Sequence, residues 1–250
     1  MPPLGYQLYS SRNFPLAETL TMVADIGYSK VEGYGALFED PDAITTLQAG
    51  LAKTGLTMPT AHFGIDMVRD TPTEVITTCA KLGIETVVYP YLDPDARPSN
   101  AKGWADLGAD LATYAKPLTD AGLGIAWHNH DFEVVDLGIP ETPLDLIMQA
   151  SDEMLLELDL AWVHIGGRDP VDFLQQYATR MVVAHLKDVA PQGENANEDG
   201  WADLGHGRMD WAMLYAEIGK TAAQHLIVEH DNPSDHKRFA QRSFDTVANF

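Results

Sequence analysis

The sequence predicts one (β/α)8 barrel over residues 1–250, and three observations favour this fold. The chain has 250 residues, a length at which such barrels commonly form one domain. A glycine that ends a helical pattern recurs 28 residues apart, at Gly27, Gly55 and Gly83, which matches one strand, one helix and two turns. Short apolar runs also alternate with helical patterns eight times along the chain.

The apolar runs are bounded by turn residues, as is typical of parallel strands that are buried on both faces. A helical pattern follows each run, and the last helix is expected over residues 237–247. The predicted strands cover residues 5–9, 30–33, 57–63, 86–91, 124–130, 155–159, 182–187 and 225–229.

Helix starts are marked by a capping residue followed by proline. The pairs Asp40-Pro41, Thr142-Pro143 and Asp169-Pro170 fit this pattern, and Thr71-Pro72-Thr73-Glu74 predicts a full capping box. A doubly wound open sheet is the alternative architecture. It would need a glycine-rich turn after an early strand, but residues 10–14 contain no glycine, so the barrel is favoured.

Acidic residues outnumber basic ones, with 37 Asp and Glu against 16 Lys and Arg, and the formal net charge is −21. A surface of this charge repels phosphate backbones and anionic membranes. We therefore expect neither a nucleic acid nor a membrane as a partner. A small phosphorylated substrate stays open because local charge can oppose the net field, and a homo-oligomer is also open.

The single cysteine, Cys79, excludes an internal disulfide, and its amphipathic helical surroundings favour a buried structural role. The first residues of the sequence contain neither a basic signal-peptide region nor a long apolar run. A cytoplasmic location is therefore expected.

Polar side chains mark the C-terminal ends of the predicted strands, the end at which barrel enzymes work. Because neighbouring parallel strands end together, we expect these side chains to converge. Carboxylates and imidazoles without thiolates suit Mn²⁺, Mg²⁺ or Co²⁺ better than a structural zinc ion. The eight ends carry Tyr9, Glu32, His62, Tyr91, the group His128, His130 and Glu133, then Asp159, the pair His185 and Lys187, and Glu229.

Four groups of motifs carry a family resemblance. They are WHNHDFE at residues 127–133, LELD at 156–159 with GRDP at 167–170, HLKD at 185–188, and GHGRMDW at 205–211 with VEHDN at 228–232. In this order and spacing the chain resembles the sugar phosphate isomerase/epimerase family of xylose-isomerase-like TIM barrels. The resemblance covers essentially the whole chain and implies a small sugar as substrate.

The resemblance also implies one divalent cation, with Mn²⁺ expected first and Mg²⁺, Co²⁺ or Zn²⁺ as alternatives. The implied ligands are Glu133, Asp159, His185 and Glu229. Family members carry the first glutamate at the strand end itself, where this chain has Trp127 or His128. Glu133 is the nearest carboxylate, and His128 or His130 is the alternative ligand.

The remaining roles are assigned by position. The expected catalytic residues are Glu133, Glu229, His130 and Lys187. The expected substrate-binding residues are His62, His128, Trp162 and Arg208. Trp162 stands where epimerases of the family have a substrate-contacting histidine. Glu157 faces the same side of its strand as Asp159 and is assigned a structural role.

The leading expectation is a metal-dependent isomerase or epimerase that forms an enediolate. A keto-sugar dehydratase or lyase is the close alternative, because His128 and His130 could protonate a departing oxygen. A non-catalytic sugar-binding module is the alternative from another class, whereas the acidic charge disfavours a DNA endonuclease. Residues 190–207 form the longest irregular stretch and are expected to be a mobile cover of the site.

Overall fold

The computed structural model describes residues 2–250 as eight parallel strands in a nearly closed barrel, with helices between them. The order around the barrel is β2-β1-β10-β7-β6-β5-β4-β3. These strands are β1 Leu4–Gln7, β2 Lys30–Glu32, β3 Thr60–His62, β4 Thr86–Tyr89, β5 Gly124–His128, β6 Met154–Asp159, β7 Met181–Leu186 and β10 His225–Val228; β8 Asp188–Val189 and β9 Trp201–Ala202 form a separate hairpin. The predicted (β/α)8 barrel is confirmed.

The barrel closes between its first and last strands in the sheet order. Parallel bridges join Lys30 to Thr57 and Gly33 to Ala61, so β2 and β3 meet although no continuous ladder links them. The backbone N–H of Val31 donates to the carbonyl of Thr57 at 2.9 Å. All eight strand ends therefore face one mouth.

Helices surround the barrel and follow the predicted rhythm. They are α1 Leu16–Ile26, α2 Ala36–Glu39, α3 Pro41–Thr54, α4 Ile65–Asp70, α5 Pro72–Leu82, α6 Ala101–Asp120, α7 Pro143–Gln149, α8 Leu160–Ile165, α9 Pro170–Gln176, α10 Trp211–Ile218 and α11 His236–Ala248. Gly27 and Gly55, which end α1 and α3, have φ of 119° and 76°, a region where a side chain would be strained.

Asp40, Thr142 and Asp169 cap their helices through their side chains, as predicted. The capping box at Thr71 was wrong. The Thr71 side chain makes no cap hydrogen bond, because its hydroxyl donates to the carbonyl of Met67 at 3.0 Å in the preceding helix α4. Only one residue separates α4 from α5, so Thr71 serves the end of the first helix instead of the start of the second.

Inside the barrel, polar residues sit directly above an apolar layer. Ala126, Leu155, Val183 and Ile227 belong to one small apolar cluster, separate from the core between strands and helices. Since side chains on a strand alternate between faces, the residues two positions later point into the same interior. They are His128, Glu157, His185 and Glu229.

Residues 190–207 contain more secondary structure than their sequence predicted. Strands β8 and β9 pair antiparallel across this stretch, and Trp201 is buried. Glu198 lies in a short 3₁₀ helix and accepts hydrogen bonds from Arg238 and from the Ser234 backbone. The stretch is therefore a hairpin whose far end is fastened to α11. Within residues 2–250, no helix combines the length and apolar character needed to cross a membrane.

Candidate active site

A cluster of carboxylates and imidazoles lies just below the barrel mouth. The Oε1 atom of Glu157 is 2.6 Å from Nε2 of His62, 2.9 Å from Nε2 of His185 and 3.1 Å from Nδ1 of His128. All four residues are buried, and they form one of the two groups that could hold a metal ion. The second oxygen, Glu157 Oε2, has no hydrogen-bond partner among the described residues.

Glu32 supports this cluster from the opposite side of the barrel interior. Its Oε1 atom lies 2.8 Å from His185 Nε2 and 3.2 Å from His62 Nε2, and it accepts a hydrogen bond from Gln7 at 2.9 Å. Burial alone would lower the pKa of His62, but the carboxylates of Glu157 and Glu32 raise it to about 10. His62 is therefore a cation in the metal-free chain.

A second group lies at the strand ends, directly above the first. His128, Asp159, His185 and Glu229 each offer a ligand atom, and these atoms lie within 4.8 Å of one another. His185 belongs to both groups because its Nδ1 is 3.1 Å from Glu229 Oε2 while its Nε2 faces Glu157. We call His128, Asp159, His185 and Glu229 the upper quartet.

Among the buried atoms of the upper quartet, Asp159 Oδ2 lacks a hydrogen-bond partner within residues 2–250, whereas His128 Nδ1 has Glu157 Oε1 at 3.1 Å. The other oxygen of Asp159 accepts the backbone N–H of Trp162 at 2.9 Å and so caps α8. Burial raises the pKa of Asp159 to about 7, although Lys187 and His185 oppose this. Unpaired buried polar atoms are costly, so the arrangement fits a bound cation that would satisfy them.

Glu133 occupies a different position from the one expected of a ligand. It is buried beneath the turn, where Oε1 accepts the Trp127 indole N–H at 3.2 Å and Oε2 accepts the His130 backbone N–H at 2.8 Å. It belongs to neither candidate metal group. The 3₁₀ turn Asp131–Glu133 reverses the chain and returns this carboxylate toward β5. Burial raises its pKa to about 8.

Lys187 lies beneath the cavity instead of lining it, and its side chain is only 1% exposed. Its Nζ atom is 2.5 Å from Asp231 Oδ1 and 3.4 Å from Glu229 Oε2. The indole rings of Trp201 and Trp162 lie 4.3 Å and 5.0 Å from the same atom. Burial works against the charge, but the pKa of Lys187 is raised by Asp231 and Glu229, so the ammonium is permanent.

The upper quartet opens into a cavity of about 670 Å³. The cavity size suits a sugar-sized ligand. His130 and Trp162 stand in its wall, and His130 Nδ1 and Trp162 Nε1 are buried without a hydrogen-bond partner among the described residues. The lining residues are Tyr9, Arg12, Tyr34, Gly35, His62, Pro90, Tyr91, Arg97, His128, His130, Asp131, Phe132, Trp162, Asp199, Glu229 and Asp231.

Arg208 does not line this cavity; it is exposed, and its backbone N–H donates to the Val189 carbonyl at 2.9 Å. The loop around it is organised by the buried Asp188 carboxylate, which accepts the backbone N–H groups of Gly205 and Gly207 at 3.0 Å. From the sequence, Glu157 was given a structural role on the same face as Asp159; the structure places its carboxylate against the imidazoles of His62, His128 and His185.

Comparison with known proteins agrees with this geometry. The model of the xylose isomerase-like TIM barrel family matches residues 20–247. The chain belongs to this family. The family expectation from the sequence is therefore confirmed, and the upper quartet lies at the strand ends of a xylose isomerase-like barrel.

Two curated relatives of this xylose isomerase-like chain are informative. An inosose dehydratase of Clostridium botulinum is 30% identical over 96 residues, which is 37% of this chain and 31% of the relative, so the match spans about a third of that enzyme. The rhizopine catabolism protein MocC of Rhizobium meliloti is 25% identical over 245 residues, covering 86% of this chain and 74% of the relative.

Among solved structures, a sugar phosphate isomerase/epimerase from Parabacteroides distasonis superimposes with a TM-score of 0.79. The two proteins share 18% sequence identity, and the alignment covers 99% of this chain and 98% of the other. At this identity the likeness establishes the fold and does not assign a reaction.

Proposed function

We propose that this protein is a divalent-metal-dependent enzyme that removes a proton beside the keto group of a cyclic sugar and expels the hydroxyl on the next carbon. The observation that carries this proposal is the upper quartet, buried at the floor of a sugar-sized cavity with Asp159 Oδ2 unpaired. The expected cation is Mn²⁺, and the two imidazoles also suit Zn²⁺ or Co²⁺.

The residues that would hold the cation are His128, Asp159, His185 and Glu229. When bound there, a divalent cation would polarise the keto oxygen and stabilise negative charge that develops on it. Glu133 is not proposed as a ligand because both of its oxygens already accept hydrogen bonds beneath the turn. The histidine alternative for the first ligand is therefore adopted, in the form of His128.

Proton transfer would use cavity residues outside the quartet. His130 lines the cavity, and its unpartnered Nδ1 would take the proton from the carbon beside the keto group. The C–O bond to the leaving hydroxyl would then break, and His62, which also lines the cavity, would protonate the departing oxygen as water. The rings of His62 and His130 lie 5.2 Å and 5.0 Å from the His128 ring, so one ligand could be in reach of both.

Lys187 would position these groups without touching the substrate. Its ammonium holds Asp231 and Glu229 in place at the cavity floor and partly balances their charge. The indole rings of Trp162 and Trp201 shield this ion pair from solvent.

Isomerisation or epimerisation, the leading expectation from the sequence, is the second candidate. Glu229 and Asp231 line the same cavity as His130, so a second group could return the proton to a carbon atom. Elimination is placed first because Glu133, the carboxylate expected to work opposite Glu229 in epimerisation, does not line the cavity, whereas the imidazoles of His130 and His62 do. The partial match to inosose dehydratase supports the same order.

The proposal is tested with metal-loaded protein and a panel of inososes, keto-glucose and keto-glucosides. Mass spectrometry should show loss of one water and ultraviolet absorbance should show an unsaturated ketone. A substrate isomer of unchanged mass would support the second candidate. If no member of the panel changes while metal is bound, the catalytic proposal is wrong and the protein is a sugar-binding module.

A further inference from the structure

The cavity continues outward from the upper quartet into a region walled by aromatic rings. On one side Tyr9 and Tyr34 contact each other with ring centroids 5.3 Å apart. On another side Tyr91 packs edge-on against Phe132 at 5.8 Å. These pairs follow strands β1 and β2, and β4 and β5, which are separated by other strands in the barrel order. We call these four residues the aromatic rim.

Two side chains of the aromatic rim are unusually exposed to solvent for residues of their size. Tyr9 is 37% exposed and Tyr91 is 42% exposed, although both are large and largely apolar. Exposed aromatic surface beside a cavity indicates a binding surface, because flat rings stack on the apolar faces of sugars and aryl groups. The rim adjoins the reaction site, because the Tyr91 and Phe132 rings lie 5.1 Å and 5.6 Å from the ring of His130, the proposed base.

Two arginines in the rim are already engaged. Arg12 lies 4.2 Å over the Tyr9 ring and donates to the Tyr9 and Asp231 carbonyls. Arg97 lies 3.5 Å over the Phe132 ring and donates to the Leu92 carbonyl at 3.0 Å and to the Tyr91 hydroxyl at 2.8 Å. Each guanidinium group therefore uses two of its five N–H donors to hold the rim residues in place.

We infer that the aromatic rim is a subsite for a second ring, so that the substrate is a keto-glycoside. This inference rests on the proposed function, because the keto-sugar ring is placed at the quartet. The second ring would be a sugar or an aryl group in glycosidic linkage, held between the two aromatic pairs.

Binding is measured by calorimetry with three unreactive probes, namely para-nitrophenyl glucoside, glucose and glucose phosphate, so that the result does not depend on turnover. The glucoside should bind at least tenfold more tightly than glucose or glucose phosphate, neither of which carries a second ring. Tyr91→Ala should weaken glucoside binding about three- to tenfold and leave glucose binding unchanged.

Phe250→Ala is the matched control, since Phe250 is 47% exposed and does not line the cavity. It should leave all three affinities unchanged. Equal affinity for glucose and the glucoside, preference for the phosphate, or no effect of Tyr91→Ala would each overturn the inference. Failure of every keto-sugar to react, with these affinities as expected, would instead count against the proposed function alone.

Discussion

Glu157 and His185 meet in the barrel interior, with Glu157 Oε1 2.9 Å from His185 Nε2. The other ring nitrogen, Nδ1, lies 3.1 Å from Glu229 in the upper quartet. A carboxylate that accepts one imidazole N–H leaves the lone pair of the other nitrogen free for a metal ion. Glu157 approaches Nδ1 of His128 in the same way, at 3.1 Å, so one carboxylate orients two proposed ligands.

Replacing Glu157 by glutamine should weaken metal binding about 10- to 100-fold, the usual effect of losing such a supporting carboxylate. Glutamine has nearly the same shape as glutamate, but one end of its amide group is an N–H donor instead of an acceptor. It therefore cannot orient the imidazole rings of both His185 and His128. The measurement is competition for Mn²⁺ or Zn²⁺ with a chelator of known affinity. The spectrum of the Co²⁺ form should also change, because the orientation of its ligands changes.

Asp145→Asn is the control for Glu157→Gln. Asp145 accepts side-chain hydrogen bonds at the start of α7, away from the quartet, so metal affinity should stay the same in this variant. Two metal ions per wild-type chain, falling to one in Glu157→Gln, would show instead that Glu157 is itself a ligand.

Two further variants test which residue is the first metal ligand. His128→Gln should lose most of its metal affinity, because His128 belongs to the upper quartet. Glu133→Gln should retain one metal ion per chain, since Glu133 bonds to Trp127 and to the His130 backbone. Elemental analysis after gel filtration gives the stoichiometry of both. Metal loss from Glu133→Gln with retention in His128→Gln would restore the original assignment of Glu133.

Without metal, the protein should become less stable as the pH rises from about 6.5 to 9. Burial raises the pKa of Asp159 to about 7 and that of Glu133 to about 8, so the folded chain binds protons that the unfolded chain has released. His62 acts in the same direction, since the stability that its charge contributes falls progressively between pH 6.5 and its folded-state pKa of about 10. For Asp159 the loss totals on the order of 4 kcal/mol; it builds up between its ordinary pKa of 3.8 and its folded-state pKa of about 7, so only its last part falls within this range.

Thermal unfolding in chelator across this pH range measures the effect. Asp159→Asn should unfold at a higher temperature than the wild type at pH 9 and show a shallower pH dependence, because the buried charge is absent. Metal should stabilise the wild type and leave this variant unchanged. A wild type that gains stability from pH 6.5 to 9 in chelator would show that Asp159 is not buried as described.

The barrel could be predicted from the sequence because its signals are local. Apolar runs and helix-ending glycines placed all eight strands to within three residues of their observed bounds. Thr71 was misassigned because two helices compete for one residue, and residue spacing alone does not show which helix the side chain serves.

The site was predicted less completely because its contacts join distant strands. Barrel closure brings Glu32 and His62 to Glu157, and this depends on the stagger of all strands together. The position of Glu133 has a local cause: the short turn after β5 folds its side chain back beneath the turn, although it lies close to the strand end in sequence. Arg208 belongs to the motif at residues 205–211. The turn that this motif forms wraps around the Asp188 carboxylate and leaves the arginine exposed, away from the cavity.

The final prediction concerns His130, the proposed base. His130→Gln should lower turnover of a keto-glucoside by a factor of about 100 to 10,000, the usual contribution of a general base. Metal stoichiometry should be unchanged, because His130 is not in the upper quartet. In D₂O the wild type should release an unsaturated ketone, and recovered substrate should carry deuterium beside the keto group only if proton removal is reversible. Full activity in His130→Gln would assign the proton transfer to Glu229 or Asp231, which line the same cavity. Deuterium in an intact isomer, with no unsaturated product, would make isomerisation the reaction.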